Sequence, residues 1–376
     1  MITNNNTIEY KDKLQAQYNA KITELLKMLP PFCEAYERFQ RSHNKTKTRV
    51  EYLTDIYNFF RYLVNANPKI NSTRDITTEY LEQLTGFDFD DYLDWLSNYK
   101  FDSNDEKEKF KTNTNASKKR KMMAIRSLFH FLYIRDVISC NPTEKAVIPS
   151  VKKKKRREIA ILEDNECSLF LDTIDKAYVE ALDIIDAQDK PGKKDVVKPY
   201  LIMRDKAIVY LILGTGLRVS ELCAINCSDI SYSLGYINVI RKGDEDTDKT
   251  SDQVYLSDEV MNVLIDYVSD ARSHLDPDED NYDALFISSK HQRMTPRAIE
   301  LMVKKYANEA LGTNNNVHPH TLRATFGTRY YRMTGDISAT STAMNHSGVE
   351  ITAQFYVREN EDAKRNAANL RVKRDE

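Results

Sequence analysis

Gly214-Thr215-Gly216-Leu217-Arg218-Val219-Ser220-Glu221-Leu222 follows directly on an apolar run, residues 203–213, spaced as a buried helix. Two glycines pinch the chain into a turn, an arginine comes straight after it, and a glutamate follows one helical turn later. The stretch lacks the third glycine and the preceding buried strand of a dinucleotide-binding fingerprint, and it is not a P-loop. It joins one helix to the next. With 10 glycines and 10 prolines in 376 residues, and many Leu, Lys, Glu and Ala positions, the chain reads as mostly helical rather than as a sandwich or barrel. Downstream, residues 236–241 and 253–256 alternate and are rich in β-branched types, with the polar acidic stretch 242–252 between them, which predicts a hairpin with a long loop. The expected fold is therefore mainly α with a small antiparallel β-sheet.

Upstream of the glycine turn, residues 162–166 precede a further apolar helix, and the polar segment 178–199, with Pro191 and Gly192, reads as a solvated loop. Residues 48–65 carry Val50, Leu53, Ile56, Tyr57, Phe60 and Leu63 at helical spacing, the stripe of a core-facing helix. Residues 80–99 repeat the pattern with a break near Gly86. Residues 115–133 open with Asn115 as a candidate cap and four consecutive bases, then present Met122, Ile125, Leu128, Phe129 and Leu132 on one face. Residues 1–40 are polar with weak helical spacing at Leu14, Tyr18, Ile22, Leu25 and Leu26. The predicted organisation is a helical arm over 1–40, a helical domain over 41–150, a basic linker over 151–160 and a second domain over 161–376.

The net charge is −2, which by itself does not point to nucleic acid, but the charges are segregated. Residues 79–108 hold ten acids against two bases, whereas 111–157 hold fourteen bases against two acids. The acidic block repels a polyanion, and the basic block is an electrostatic footprint for phosphate. Lysines and an arginine at a helix start also oppose the helix dipole unless an anion offsets them. Ser117, Lys118, Lys119, Arg120, Lys121 and Arg126 are the expected DNA-backbone contacts. Cys33, Cys140, Cys167, Cys223 and Cys227 are odd in number and form no CxxC pair, so they read as structural thiols, with Cys223 and Cys227 on one helical face. No apolar run approaches the roughly 20 residues of a membrane span, and the first residues lack a secretory pattern. A cytoplasmic location is expected.

His318-Pro319-His320-Thr321-Leu322-Arg323 puts a histidine and an arginine three apart, on one helical face. Beyond it lie His346, in Met344-Asn345-His346-Ser347-Gly348, and then Tyr356. Each piece is weak alone. In order, however, Arg218, Lys242 after a strand, His320 with Arg323, His346 and Tyr356 resemble the signature of the tyrosine recombinase (phage integrase, Xer-like) family. Residues 48–149 also look like the helical core-binding domain that precedes the catalytic one in that family.

The resemblance implies a two-domain C-shaped clamp on DNA and a site-specific recombinase that cuts and rejoins strands through a 3′-phosphotyrosyl intermediate, integrating or excising a mobile element or resolving DNA molecules. In that scheme Tyr356 is the nucleophile, and Arg218 and Arg323 stabilise the phosphorane with their planar charged forks. Lys242 protonates the departing 5′ oxygen, His320 is the base or proton shuttle, and His346 hydrogen-bonds the phosphate. No metal, ATP or other cofactor is called for. The implied partners are double-stranded recombination sites, a homotetramer on two synapsed sites and an accessory directionality factor. The loop after Lys242 is longer and more acidic than the family's, which keeps Lys249 as a second candidate for the acid. Asn345 stands where the family usually has glycine. Glu221 and Asp229 read as structural, Glu221 orienting Arg218. Tyr330 and Tyr331 are set aside as helix residues at core spacing, and the tail 357–376 as a segment that docks on a neighbouring copy. The rival readings are a non-catalytic DNA-binding protein on the same fold and a single-site topoisomerase or resolvase.

Overall fold

A computed structural model of the chain describes residues 5–97, 99–101, 109–150, 160–240 and 251–345. They fall into two compact units, the first within Lys11–Arg157 and the second within Met1–Tyr10 and Glu158–Glu376. Among the described residues no helix is long and apolar enough to cross a membrane.

The first unit is built from α1 (Asn5–Met28) beyond Tyr10, α2 (Phe32–Arg41), α3 (Thr46–Ala66), α4 (Thr78–Glu82), α5 (Gly86–Trp95), the strands β1 (Tyr99–Phe101) and β2 (Lys109–Lys111), and α6 (Asn115–Ile134). The stripe on α3 does what its spacing predicts: Leu53, Ile56, Phe60 and Leu63 are buried. They share one core with Phe89 and Tyr92 of α5, Leu128 and Phe129 of α6, and Ile22, Leu25, Leu29, Cys33 and Tyr36 from the first two helices. Each such large side chain contributes about 1.5–3 kcal/mol on burial. The break near Gly86 is real. Thr85 N–H donates to Asp88 Oδ2 at 2.7 Å, starting α5 afresh, and a Cβ on Gly86 would sit 3.0 Å from the Lys145 carbonyl. Helical spacing fails just beyond, because the chain leaves α5 at Trp95 and Tyr99 enters a hairpin with β2, in antiparallel register Tyr99↔Lys111 and Phe101↔Lys109.

The start of α6 also departs from expectation. Its cap is Thr114, whose side chain accepts the Ser117 N–H, rather than Asn115. The anion that offsets its bases belongs to the protein. Asp55 of α3, buried, receives Lys121 Nζ at 2.8 Å and Arg120 Nη1 at 2.7 Å. A lone buried carboxylate is costly, and two cations on it remove that cost.

The second unit contains α7 (Asp164–Asp186), α8 (Lys193–Thr215), α9 (Val219–Ala224), β3 (Ile230–Ser231), β4 (Tyr236–Val239), β5 (Asp252–Tyr255), α10 (Asp258–Asp266), a π turn over Tyr267–Ala271 leading into α11 (Arg272–His274), α12 (Pro296–Leu311), α13 (Pro319–Thr334) and α14 (Ile337–Ala343). α8 is the centre, with α7, α10 and α13 packed on it. Arg204 and Asp205 of α8 are buried together: the guanidinium reaches Asp205 at 2.6 Å and the Ile287 carbonyl at 2.8 Å, and Tyr306 OH donates to Asp205 at 3.2 Å. The three strands form an antiparallel sheet in the order β3-β4-β5, with Tyr236 opposite Tyr255 and Val239 opposite Asp252. That is the predicted hairpin.

The segment 178–199 is not a loop. α7 runs on to Asp186 and α8 begins at Lys193, so only 187–192 connect them, and Pro199 sits inside α8, buried. Proline in a helix usually signals a break; here it lies in the second turn, where the packing of α8 outweighs one lost N–H. Cys227 also departs from the one-face reading, since it lies in a 3-10 turn past the end of α9. Burial pushes the Cys223 thiol up to about 12 and that of Cys227 to about 11, which suits inert structural thiols.

Candidate active site

The glycine turn explains how Arg218 is presented. Gly216 ends α8 in the left-handed region at φ +63°, its N–H donating to Ile212 O at 2.9 Å. A Cβ there would collide with the Phe326 ring of α13, so the position needs glycine for both backbone and packing. The chain then extends through buried Leu217, and Arg218 becomes the N-cap of α9 with φ −72° and ψ 144°. Its backbone N–H donates to Glu221 Oε2 at 2.9 Å, and its Nη1 to Glu221 Oε1 at 2.8 Å. Glu221 is 2% exposed against 29% for Arg218. One carboxylate thus holds the arginine at both ends, with a rim of the guanidinium left to solvent, as the sequence spacing implied. Behind α9, Arg293 donates to the carbonyls of Cys223 and Ile225 and to Asn226 Oδ1, fixing the exit of that helix. Asp229 caps the next turn by accepting the Asn226 N–H at 2.8 Å.

α13 supplies the second arginine. His318 is its N-cap, the Nδ1 accepting Thr321 N–H at 3.3 Å, and Pro319 occupies the first helical position, where its missing N–H is harmless. His320 is exposed and its ring lies 6.2 Å from that of His318, nearly parallel. Arg323, one turn on, is 2% exposed and donates to the Gly216 and Met344 carbonyls. Although the side chain reaches solvent, partial burial of its ring, reinforced by the positive charge of Arg323, His318 and Arg218, holds His320 below the ordinary imidazole value of 6.5. At neutral pH its ring is a proton acceptor. Thr325 Oγ1 accepts Leu162 N–H at 2.9 Å, tying the segment before α7 to the same helix.

The two arginines, distant in sequence, meet at α14. Arg218 Nη2 donates to the Asn345 carbonyl at 2.5 Å, and Arg323 Nη2 to that of Met344. The next residue is His346. Lys242, Lys249, His346 and Tyr356 lie outside the described residues, as do the basic linker 151–159 and the tail. Tyr330 and Tyr331 are half-buried on α13, Tyr330 packed 5.8 Å from Phe326.

The basic patch on α6 is smaller than its sequence suggests. Lys121 is buried on Asp55, leaving it no surface for a phosphate, and Arg120 shares that carboxylate. Arg126 donates to the Thr143 and Ala146 carbonyls at 3.1 and 3.0 Å, pinning the turn after α6. Lys118 reaches Ser97 Oγ at 2.6 Å, and Ser117 Oγ donates to Asn113 at 3.0 Å. Lys119 is exposed. Sequence reasoning missed Gly216, Met344 and Asn345 as partners of the arginines because they act through main-chain oxygens, which leave no side-chain pattern.

Comparison with known proteins completes the picture. The model of the phage integrase family matches residues 180–363. The tyrosine recombinase XerC of Thermodesulfovibrio yellowstonii is 30% identical over 239 residues, covering 63% of this chain and 69% of that protein. The chain belongs to the phage integrase family of tyrosine recombinases. The XerC of Caldanaerobacter subterraneus subsp. tengcongensis is 28% identical over 354 residues, 90% of this chain and 86% of the relative. Among solved structures, the integrase of the Tn1549 transposon, in complex with a circular intermediate DNA, superposes with a TM-score of 0.58 at 16% identity, over 90% of this chain and 99% of that one. This likeness extends the shared fold to the helical first unit of the recombinase.

Proposed function

We propose that this tyrosine recombinase performs site-specific recombination by attack of Tyr356 on a DNA phosphodiester, leaving a 3′-phosphotyrosyl link and a free 5′ hydroxyl. The observation that carries the reading is the convergence of Arg218 and Arg323 on adjacent carbonyls immediately before His346. Two guanidiniums brought side by side, at the entrance to the segment bearing His346 and Tyr356, match the two non-bridging oxygens of a phosphate that becomes a phosphorane.

In this scheme His320, neutral at physiological pH, takes the tyrosine proton; His346 hydrogen-bonds a non-bridging oxygen; Lys242, or Lys249 from the same loop, protonates the departing 5′ oxygen. The phosphotyrosyl bond conserves the energy of the cleaved linkage, so rejoining to another strand needs no ATP, and the guanidiniums supply the charge a metal would otherwise bring. The substrate is double-stranded DNA, both units bind it, and four copies on two sites exchange strands in turn.

The test is denaturing recovery of covalent protein–DNA adducts from fragmented source-cell DNA, with chelator present and nucleotide absent, comparing wild type and Tyr356→Phe and sequencing what stays attached. Adducts that vanish with the phenol establish the nucleophile and the site together. Adducts that persist in the variant move the nucleophile elsewhere, and dependence on added metal or ATP overturns the metal-free scheme.

A further inference from the structure

The paired carbonyls draw attention to a residue that the chemistry above leaves idle. α14 is short, and like any helix it ends with carbonyls that find no partner within it. Its C-cap, Met344, is buried and keeps a right-handed backbone at φ −82° and ψ −4°. Asn345 follows at φ +46°. This change of hand turns the Asn345 oxygen to Arg218 while the Met344 oxygen meets Arg323. Asparagine adopts the left-handed conformation at modest cost, whereas β-branched residues rarely do.

We infer that Asn345 is a positioning residue whose left-handed backbone makes the end of α14 a bracket, setting the spacing of the two guanidiniums relative to each other. Their role in catalysis rests on the recombinase reading; the bracket itself is a matter of hydrogen bonds. Consecutive carbonyls lie in two planar peptides joined through the φ and ψ of the residue between them, so the backbone of Asn345 sets how the two oxygens are disposed, and a guanidinium with five N–H groups serves more than one acceptor. Carbonyl oxygens at a helix C-terminus also carry partial negative charge, which attracts the guanidiniums without cancelling the charge a phosphate needs. The other end of the bracket is equally fixed, since Arg323 also holds the Gly216 carbonyl and Arg218 also holds Glu221.

The experiment compares full-length wild type with Asn345→Gly, Asn345→Ala and Asn345→Val by two readouts. One is the initial rate of covalent adduct formation on fragmented source-cell DNA, at protein concentrations that saturate non-covalent binding. The other is the set of guanidinium resonances of 15N-arginine-labelled protein, in which hydrogen-bonded Nη hydrogens of Arg218 and Arg323 exchange slowly. Glycine should keep the rate within about threefold, alanine should fall between, and valine should slow it by about ten- to a hundredfold, the scale of a slight misplacement of groups around a reacting centre. DNA affinity should be the same in all four proteins, thermal unfolding should fall only in the valine variant and by no more than the strain of one left-handed β-branched residue, and only valine should lose slow exchange at both arginines. Unaltered guanidinium signals in the valine and alanine variants overturn the inference whatever the rates do, as does a valine variant that forms adducts at the wild-type rate. If wild type forms no adduct, the recombinase reading fails and the resonances alone decide the bracket.

Discussion

Two groups of cations, one in each unit, are held differently. In the first, a single buried carboxylate, Asp55, collects Arg120 and Lys121, and charge is balanced inside the protein. In the second, Arg218 is held by the Glu221 carboxylate and the Asn345 carbonyl, and Arg323 by the carbonyls of Met344 and Gly216. Carbonyl dipoles orient a cation without bringing a full opposite charge to it. The same residue type therefore works as a structural tie in one unit and as a charged tool in the other, and what separates the roles is the partner.

The largest effects should come from removing one member of either arrangement. Arg218→Ala should slow strand cleavage by about 10²- to 10³-fold with a smaller loss of stability than a change at Asp55, because the buried Glu221 keeps the backbone N–H of residue 218 as a donor; single-turnover adduct formation checks it. Asp55→Ala leaves Lys121 buried without its anion and should cost about 3–5 kcal/mol of stability, measured by urea unfolding of the full chain, while the intrinsic cleavage rate of the folded fraction stays put. Equal loss of stability in the two variants would erase the contrast. Glu221→Gln keeps the shape but weakens both bonds to Arg218, and a drop of about tenfold in cleavage rate is expected, on the scale of a charge-assisted hydrogen bond.

The pH dependence sharpens the same point. His320 lies among cations and its folded pKa is below 6.5, so the folded protein binds this proton less readily than the unfolded chain. Its contribution to stability is complete above 6.5 and is lost as pH falls through the lowered value. Cleavage should likewise hold its rate below the usual imidazole range before dropping, and His320→Gln should remove that acid limb from a pH–rate profile. The smallest effect separates neighbours on α6. Lys119→Ala should reduce the salt dependence of DNA binding by about one phosphate contact and spare stability, whereas Lys121→Ala should do the reverse; binding titrations at several salt concentrations and a melting curve distinguish them.

Much of the fold was legible because it rests on repeating side-chain patterns. The stripe Leu53, Ile56, Phe60 and Leu63, the restart at Gly86 and the β4–β5 hairpin each follow from local spacing. The tie between Glu221 and Arg218 was legible for the same reason, since capping links residues three apart. The Asp55–Lys121 pair was not, because it joins two helices 66 positions apart and a charge run looks the same whether solvated or paired. Pro199 misled because a local rule lost to the packing of α8, and β1 and β2 were hidden because at three residues each their alternation is too short to stand out among charged neighbours.

The oxygens of Met344 and Asn345 have a further consequence for how this molecule can change over time. A contact made through the main chain is indifferent to the chemical group attached beside it, so the column of an alignment at residue 344 is free to drift among apolar side chains while the oxygen it contributes stays in place. Deleting or inserting a single residue between α14 and His346 is another matter, because it shifts the oxygens out of phase with both guanidiniums at once. At this point the arrangement depends on a length more strictly than on a letter.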